Sequence, residues 1–120
     1  MIIKMAPTSD AVSVRLTIDG VVDWAYLVSS PDHDYKDAGT SNAPIDLPLG
    51  QPANLNLDPV EWTVHLGNVS AADVDYSVTL DFMQAGDVLD SWSKEGTVKS
   101  SDEAVLDDKA ILVISKVADV

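Results

Sequence analysis

The chain has 120 residues and a mass of 12.8 kDa, which is room for one domain that buries roughly two thirds of the surface its unfolded form exposes. An apolar fraction of 46% and a mean hydropathy of +0.07 exclude a disordered acidic tail, so a packed core is expected. Seven basic against twenty acidic residues give a net charge of −13, which repels nucleic-acid phosphate and anionic lipid and argues against both as partners.

With no cysteine, neither a disulfide nor a thiolate is available, and stability has to come from packing. The segment Met1–Pro7 has one charge and only a few apolar residues, too short for the apolar region of a signal peptide, and no apolar run is long enough to span a membrane. A cytoplasmic location is the expectation. Of the twenty acids, 17 are Asp and three are Glu (Glu61, Glu95 and Glu103), the reverse of what long helices favour. Asp suits turns and Val suits strands, so the composition predicts an all-β domain.

Residues 12–18 alternate, with Val12, Val14, Leu16 and Ile18 on one face and Ser13, Arg15 and Thr17 on the other. Asp19-Gly20 is a hairpin turn signal, and Val22, Trp24, Tyr26 and Val28 continue the period, so the first two strands are expected to form a hairpin. From Ser29 to Pro44 the alternation is lost in Ser, Pro, Asp, Gly, Thr and Asn, which predicts one long loop, the natural place for function. Ile45, Leu47 and Leu49 form a short strand that Pro48 confines to a sheet edge. Alternating Ala53, Leu55 and Leu57 give another strand up to Asp58-Pro59.

Val60, Trp62, Val64 and Leu66 then point one way, with Trp62 the expected centre of the core. The strongest alternation is Val74, Tyr76, Val78, Leu80 and Phe82. A turn at Gln84-Ala85-Gly86-Asp87 returns the chain as Val88–Trp92. Strands near Val105 and over Ala110–Val117 close the chain, although Ser100 to Glu103 also fits a helix capping box. Seven to nine short strands predict a single domain over residues 1–120, a two-sheet antiparallel β-sandwich of immunoglobulin-like or jelly-roll topology. Because Ile111 and Val113 alternate with Leu112 and Ile114, the last strand is apolar on both faces, so either it lies centrally with a loop over its outer face or a second copy covers that face, and a homodimer is the expectation.

The most suggestive cluster is Asp32-His33-Asp34-Tyr35-Lys36-Asp37, since Ca²⁺ takes several oxygen ligands drawn close together. Asp32, Asp34 and Asp37 are the candidate metal ligands. The stretch Asp32–Ala38 locally resembles the calcium loop of bacterial calcium-mediated fucose-binding lectins, which has Asp at the positions of these three residues; Lys36 stands where that family has an oxygen-bearing ligand. The resemblance implies Ca²⁺-dependent carbohydrate binding. A solvated turn whose carboxylates cap their own backbone explains the same residues.

Tyr35 in this stretch and Trp92, beside Ser91, Ser93 and Lys94, are the candidate ligand-binding aromatics; the alternative for Trp92 is a rim residue closing the core. A tetrahedral zinc site would need His33 and His65 to converge with distant carboxylates. There is no Gly-x-Ser-x-Gly, His-Glu-x-x-His or phosphate-binding glycine loop. Asn68-Val69-Ser70 fits the glycosylation acceptor pattern. The functional expectation is a non-enzymatic module binding a protein or glycan through residues 29–44, with Ca²⁺-dependent carbohydrate binding as its specific form. The alternative is an acidic inhibitor or immunity-type protein that docks a basic partner.

Overall fold

The computed structural model describes residues 1–115. Nine strands and one helical turn follow in chain order: β1 (Ile2–Met5), β2 (Val12–Asp19), β3 (Asp23–Ser29), β4 (Asp34–Gly39), β5 (Ile45–Gly50), α1 (Pro52–Leu55), β6 (Pro59–Gly67), β7 (Val74–Gln84), β8 (Asp87–Val98) and β9 (Glu103–Ile114). One sheet has the order β1-β9-β6-β3-β4 and the other β5-β2-β7-β8. All pairings are antiparallel except β1 on β9. The expected antiparallel β-sandwich is therefore formed. β8 and β9 lie in opposite sheets, an order unlike that of immunoglobulin domains, whose last two strands are neighbours. Among the described residues no helix is long and apolar enough to cross a membrane.

The core lies between the sheets, and strict alternation builds it. Val12, Val14, Leu16 and Ile18 of β2 meet Val78, Leu80 and Phe82 of β7 on one inner face, while Trp24, Tyr26 and Val28 of β3 meet Val60, Trp62, Val64 and Leu66 of β6 on the other. Trp62 is at the centre, 5.7 Å from the ring of Phe82 and 5.4 Å from that of Trp92. Its Nε1–H finds no acceptor in the protein. An unmade bond of this kind costs about 1–3 kcal/mol, which the burial of so large a ring offsets.

Four expectations are corrected by the chain path. β2 and β3 do not form a hairpin, because the turn after Asp19 carries the chain from one sheet to the other. Equal parity of apolar residues is what both inner faces of a sandwich require, so the alternation alone fits either path. Gly20 permits the crossing: its φ is +124°, and a Cβ there would stand 2.6 Å from the Asp75 carbonyl oxygen. Next, residues 53–57 are not a strand. Pro52 starts a single helical turn that seats Leu55 in the core and leaves Leu57 69% exposed at a φ of +67°.

The third correction is that the stretch Ser29–Pro44 is not one loop, since β4 occupies its middle as an edge strand on β3. The fourth joins the two final strands into β9, which runs unbroken from Glu103; Lys116 and Val117 lie outside the described residues. On β9, Leu112 is buried and Ile111 is 42% exposed on the outer face beside Ile2. β5 is an edge strand as Pro48 requires, and the β7–β8 turn has Ala85 at φ +53° and Gly86 at φ +81°, both positive as a two-residue hairpin turn demands.

Candidate functional site

The three carboxylates expected to hold a metal do not gather. Asp32 lies in the turn before β4, where its Oδ2 approaches Gly50. Asp34 and Asp37 are an odd number of positions apart on a strand and so leave β4 on opposite faces: Asp34 opposes Ser29, whose Oγ donates to it at 2.6 Å, while Asp37 opposes Tyr26 on the inner side. Asp37 also accepts the N–H of Ala38 at 2.8 Å. Burial raises the Tyr26 phenol above its ordinary pKa, and the charge of Asp37 adds to this. Among the described residues no group of three or more His, Asp or Glu side chains is placed to hold a metal ion. Lys36 is exposed on the outer face.

The segment as a whole is exposed yet fastened. No residue from Ser29 to Asp46 is buried, the longest such run among the described residues. At one end Ser30 N–H donates to the His33 carbonyl at 2.8 Å, and the His33 ring stacks on Tyr35 with centroids 5.5 Å apart. At the other end the Trp24 indole donates to the Ser41 carbonyl at 2.8 Å and lies over Gly39, where a Cβ would come within 2.9 Å of the ring. These two turns are separated by the length of β4, roughly 20 Å for a strand of this size.

Tyr35 and Trp92 hold the sheets together. Tyr35 is half-buried and its hydroxyl donates to the Pro48 carbonyl, which ties β4 of one sheet to β5 of the other. Trp92 is not the exposed platform expected of a stacking residue. It is 7% exposed, packs edge-on against Trp62, and donates its indole N–H to Asp108 Oδ2 at 3.1 Å, which ties β8 to β9. The bond that the Lys109 N–H makes to Asp108 holds this carboxyl below its ordinary pKa, and the indole bond works in the same direction, as do the charges of the Met1 amino group and Lys94.

Asp108 is the residue that reading the sequence missed, and a signal was present. Ala104, Leu106, Ala110 and Leu112 alternate as inward positions of β9, and Asp108 interrupts them, so a carboxylate facing the core side needs a partner there. Asn68 is likewise not what its acceptor pattern predicts. It is 2% exposed; its amide donates to the carbonyls of Ala72 and Val98 at 2.8 and 2.9 Å, and its Oδ1 accepts the Ser70 N–H at 2.9 Å. In the folded chain this nitrogen is occupied. Comparison with protein-family models, with curated proteins and with solved structures finds no match to this chain.

Proposed function

We propose that the chain is a non-enzymatic binding module whose recognition element is the segment Ser29–Pro44. The observation that carries this reading is a strand and two turns that bury no residue and are nevertheless held in one geometry by Tyr35, Trp24 and the Ser30–His33 turn. A segment that gives the core only the half-buried ring of Tyr35 gains little stability from being kept, whereas fixed and exposed polar side chains on a rigid scaffold are what recognition requires. A protein or a glycan fits such an edge. The calcium-dependent, carbohydrate-binding form rests on Asp32, Asp34 and Asp37 in one exposed stretch, and it requires β4 to reshape around the ion, because Asp34 and Asp37 face opposite ways.

The test is a screen of immobilised glycans with and without Ca²⁺, run on the native chain beside the Asp34→Asn/Asp37→Asn variant. A glycan signal that the variant loses supports the segment as the recognition element, and loss on chelation supports the calcium form. A ligand held equally by both chains removes the segment from the reading.

An acidic surface that docks a basic partner is the second reading, favoured by a separate observation. Among the described residues Arg15–Asp46, at 2.8 Å, is the one ion pair, so the other described carboxylates are not neutralised by a cationic side chain within salt-bridge distance. Binding of that kind falls steeply with salt and weakens only slightly when two carboxylates are removed.

A further inference from the structure

β1 fills only part of the position beside β9. Ile2–Met5 pairs with Ile111–Ile114, whereas β9 begins at Glu103. Ile111 gives its N–H to the Met1 carbonyl at 3.0 Å, which shows that the odd-numbered residues of β9 turn their backbone groups away from β6. Between Glu103 and Lys109 these groups face a place where, among the described residues, no strand pairs. The Glu103 N–H is capped by Asp102 and the Lys109 N–H by Asp108, each at 2.8 Å. Val105 and Asp107 lie between the two caps.

Beneath this stretch the core is also incompletely covered. Ala104 and Leu106 on β9, with Tyr76 and Gly96 on the opposite sheet, face inward and are only half-buried. Glu103 and Asp107 stand on the outer face of β9 along this edge and Asp108 on its inner face; across the opening Lys94 of β8 shares the inner face with Gly96, and its charge acts on Asp108. We propose that the β9 edge from Glu103 to Lys109 takes up an extended segment of a partner protein, continuing the line of β1, with apolar side chains turned inward and Lys or Arg at the alternate positions. Main-chain bonds to Val105 and Asp107 supply the pairing, and Glu103 and Asp107 on the outer face of β9 select Lys or Arg at the partner's outward positions. A second copy of this chain is not the occupant, since it would bring the same carboxylates to the edge. The site is distinct from Ser29–Pro44 and does not depend on the reading given to that segment.

The probe is a blocked peptide alternating Lys and Val over about eight residues, long enough at ~3.3 Å per residue to span the edge. Titrated into the native chain at low salt, it is expected to shift the amide resonances of Val105 and Asp107 most. Val105→Pro removes an edge N–H without touching the ladder to β6, and should weaken binding about tenfold, the loss of one or two net hydrogen bonds. A Lys-Pro peptide of equal charge, which cannot pair as a strand, should bind far more weakly. The proposal is overturned by no binding at millimolar peptide, by equal binding of the Lys-Pro peptide, by shifts that map to β4 and leave β9 unmoved, or by a folded Val105→Pro chain that binds as well as the native one. Should that variant not fold, methylating alternate peptide nitrogens of the probe asks the same question of the native chain, and undiminished binding of the methylated peptide is equally fatal.

Discussion

Along one open side of the sandwich, where β4 meets β5, the sheets are tied by a phenol donating to a carbonyl at the surface. Along the other, where β8 meets β9, they are tied by an indole that is itself part of the core and by a carboxylate that also caps the next residue's N–H. The first tie can be exchanged for water at little cost, and the segment beyond it has no fully buried residue. The second joins packing to polarity, because Trp92 stands against Trp62 and reaches Asp108 with the same ring. The β8–β9 tie is therefore expected to contribute more to stability than the β4–β5 tie.

Truncating the two aromatics tests that contrast most severely. Trp92→Ala empties a ring's volume beside Trp62 and should cost about 3–5 kcal/mol in chemical denaturation. Tyr35→Phe removes one exposed bond and keeps the ring against the core, at a cost of about 1 kcal/mol or less. Equal costs would break the comparison.

How far this contrast could be read from sequence depends on the reach of the contacts. Alternation over 12–18, 60–66 and 74–82 identifies β2, β6 and β7, because a half-buried strand writes its burial into local order. The same alternation misplaces residues 53–57, where Leu55 alone reaches the core and Pro52 already favours a helical turn. It is silent on the partners of Tyr35 and Trp92, which come from the opposite sheet through Pro48 and Asp108. The abundance of Asp predicts turns correctly but hides a second use. In or beside edge strands, Asp37, Asp90, Asp102 and Asp108 each accept the N–H of the following residue at 2.8 Å, a reach that suits Asp. Such caps blunt edges that would otherwise pair.

Acid should separate the two sides next. Asp108 is held below its ordinary carboxyl pKa, first by the Lys109 N–H, so its stabilising contribution is complete above the unfolded value and is lost as pH falls through the lowered folded one. The β4–β5 tie joins a phenol to a backbone carbonyl and contains no carboxylate. On acidification the Trp92 indole N–H resonance should move and its exchange quicken before the Tyr35 side chain responds, and in Asp108→Asn that early step should vanish. Simultaneous change at both aromatics would mean that the β8–β9 tie does not titrate separately.

Salt gives the smallest effect and acts on both sides together. A net charge of −13 with a single ion pair among the described residues means that neighbouring carboxylates repel through water, and ions at near-molar concentration shorten the range of that repulsion to about 3 Å. The melting temperature should therefore rise by a few degrees between low salt and about 1 M NaCl, the size expected of roughly 1 kcal/mol in a domain of this length. No single Asp→Asn change at an exposed position should reproduce the rise, because each contributes only a fraction of it. Between the two sides the gain should be uneven. Asp32, Asp34 and Asp37 lie on or beside β4, which has no fully buried residue, so slowing of amide exchange should be greatest on β4, while β8 and β9 near Trp92 change less because packing already holds them closed. The same salt screens the outer face of β9, where Ile2 is 66% and Ile111 42% exposed, so light scattering under these conditions is also the measurement that decides whether the chain forms a homodimer through that face. A melting temperature independent of salt would show that the carboxylates are already neutralised, by bound cations or by raised pKa values, and the view of this surface as an unscreened acidic field would have to be given up.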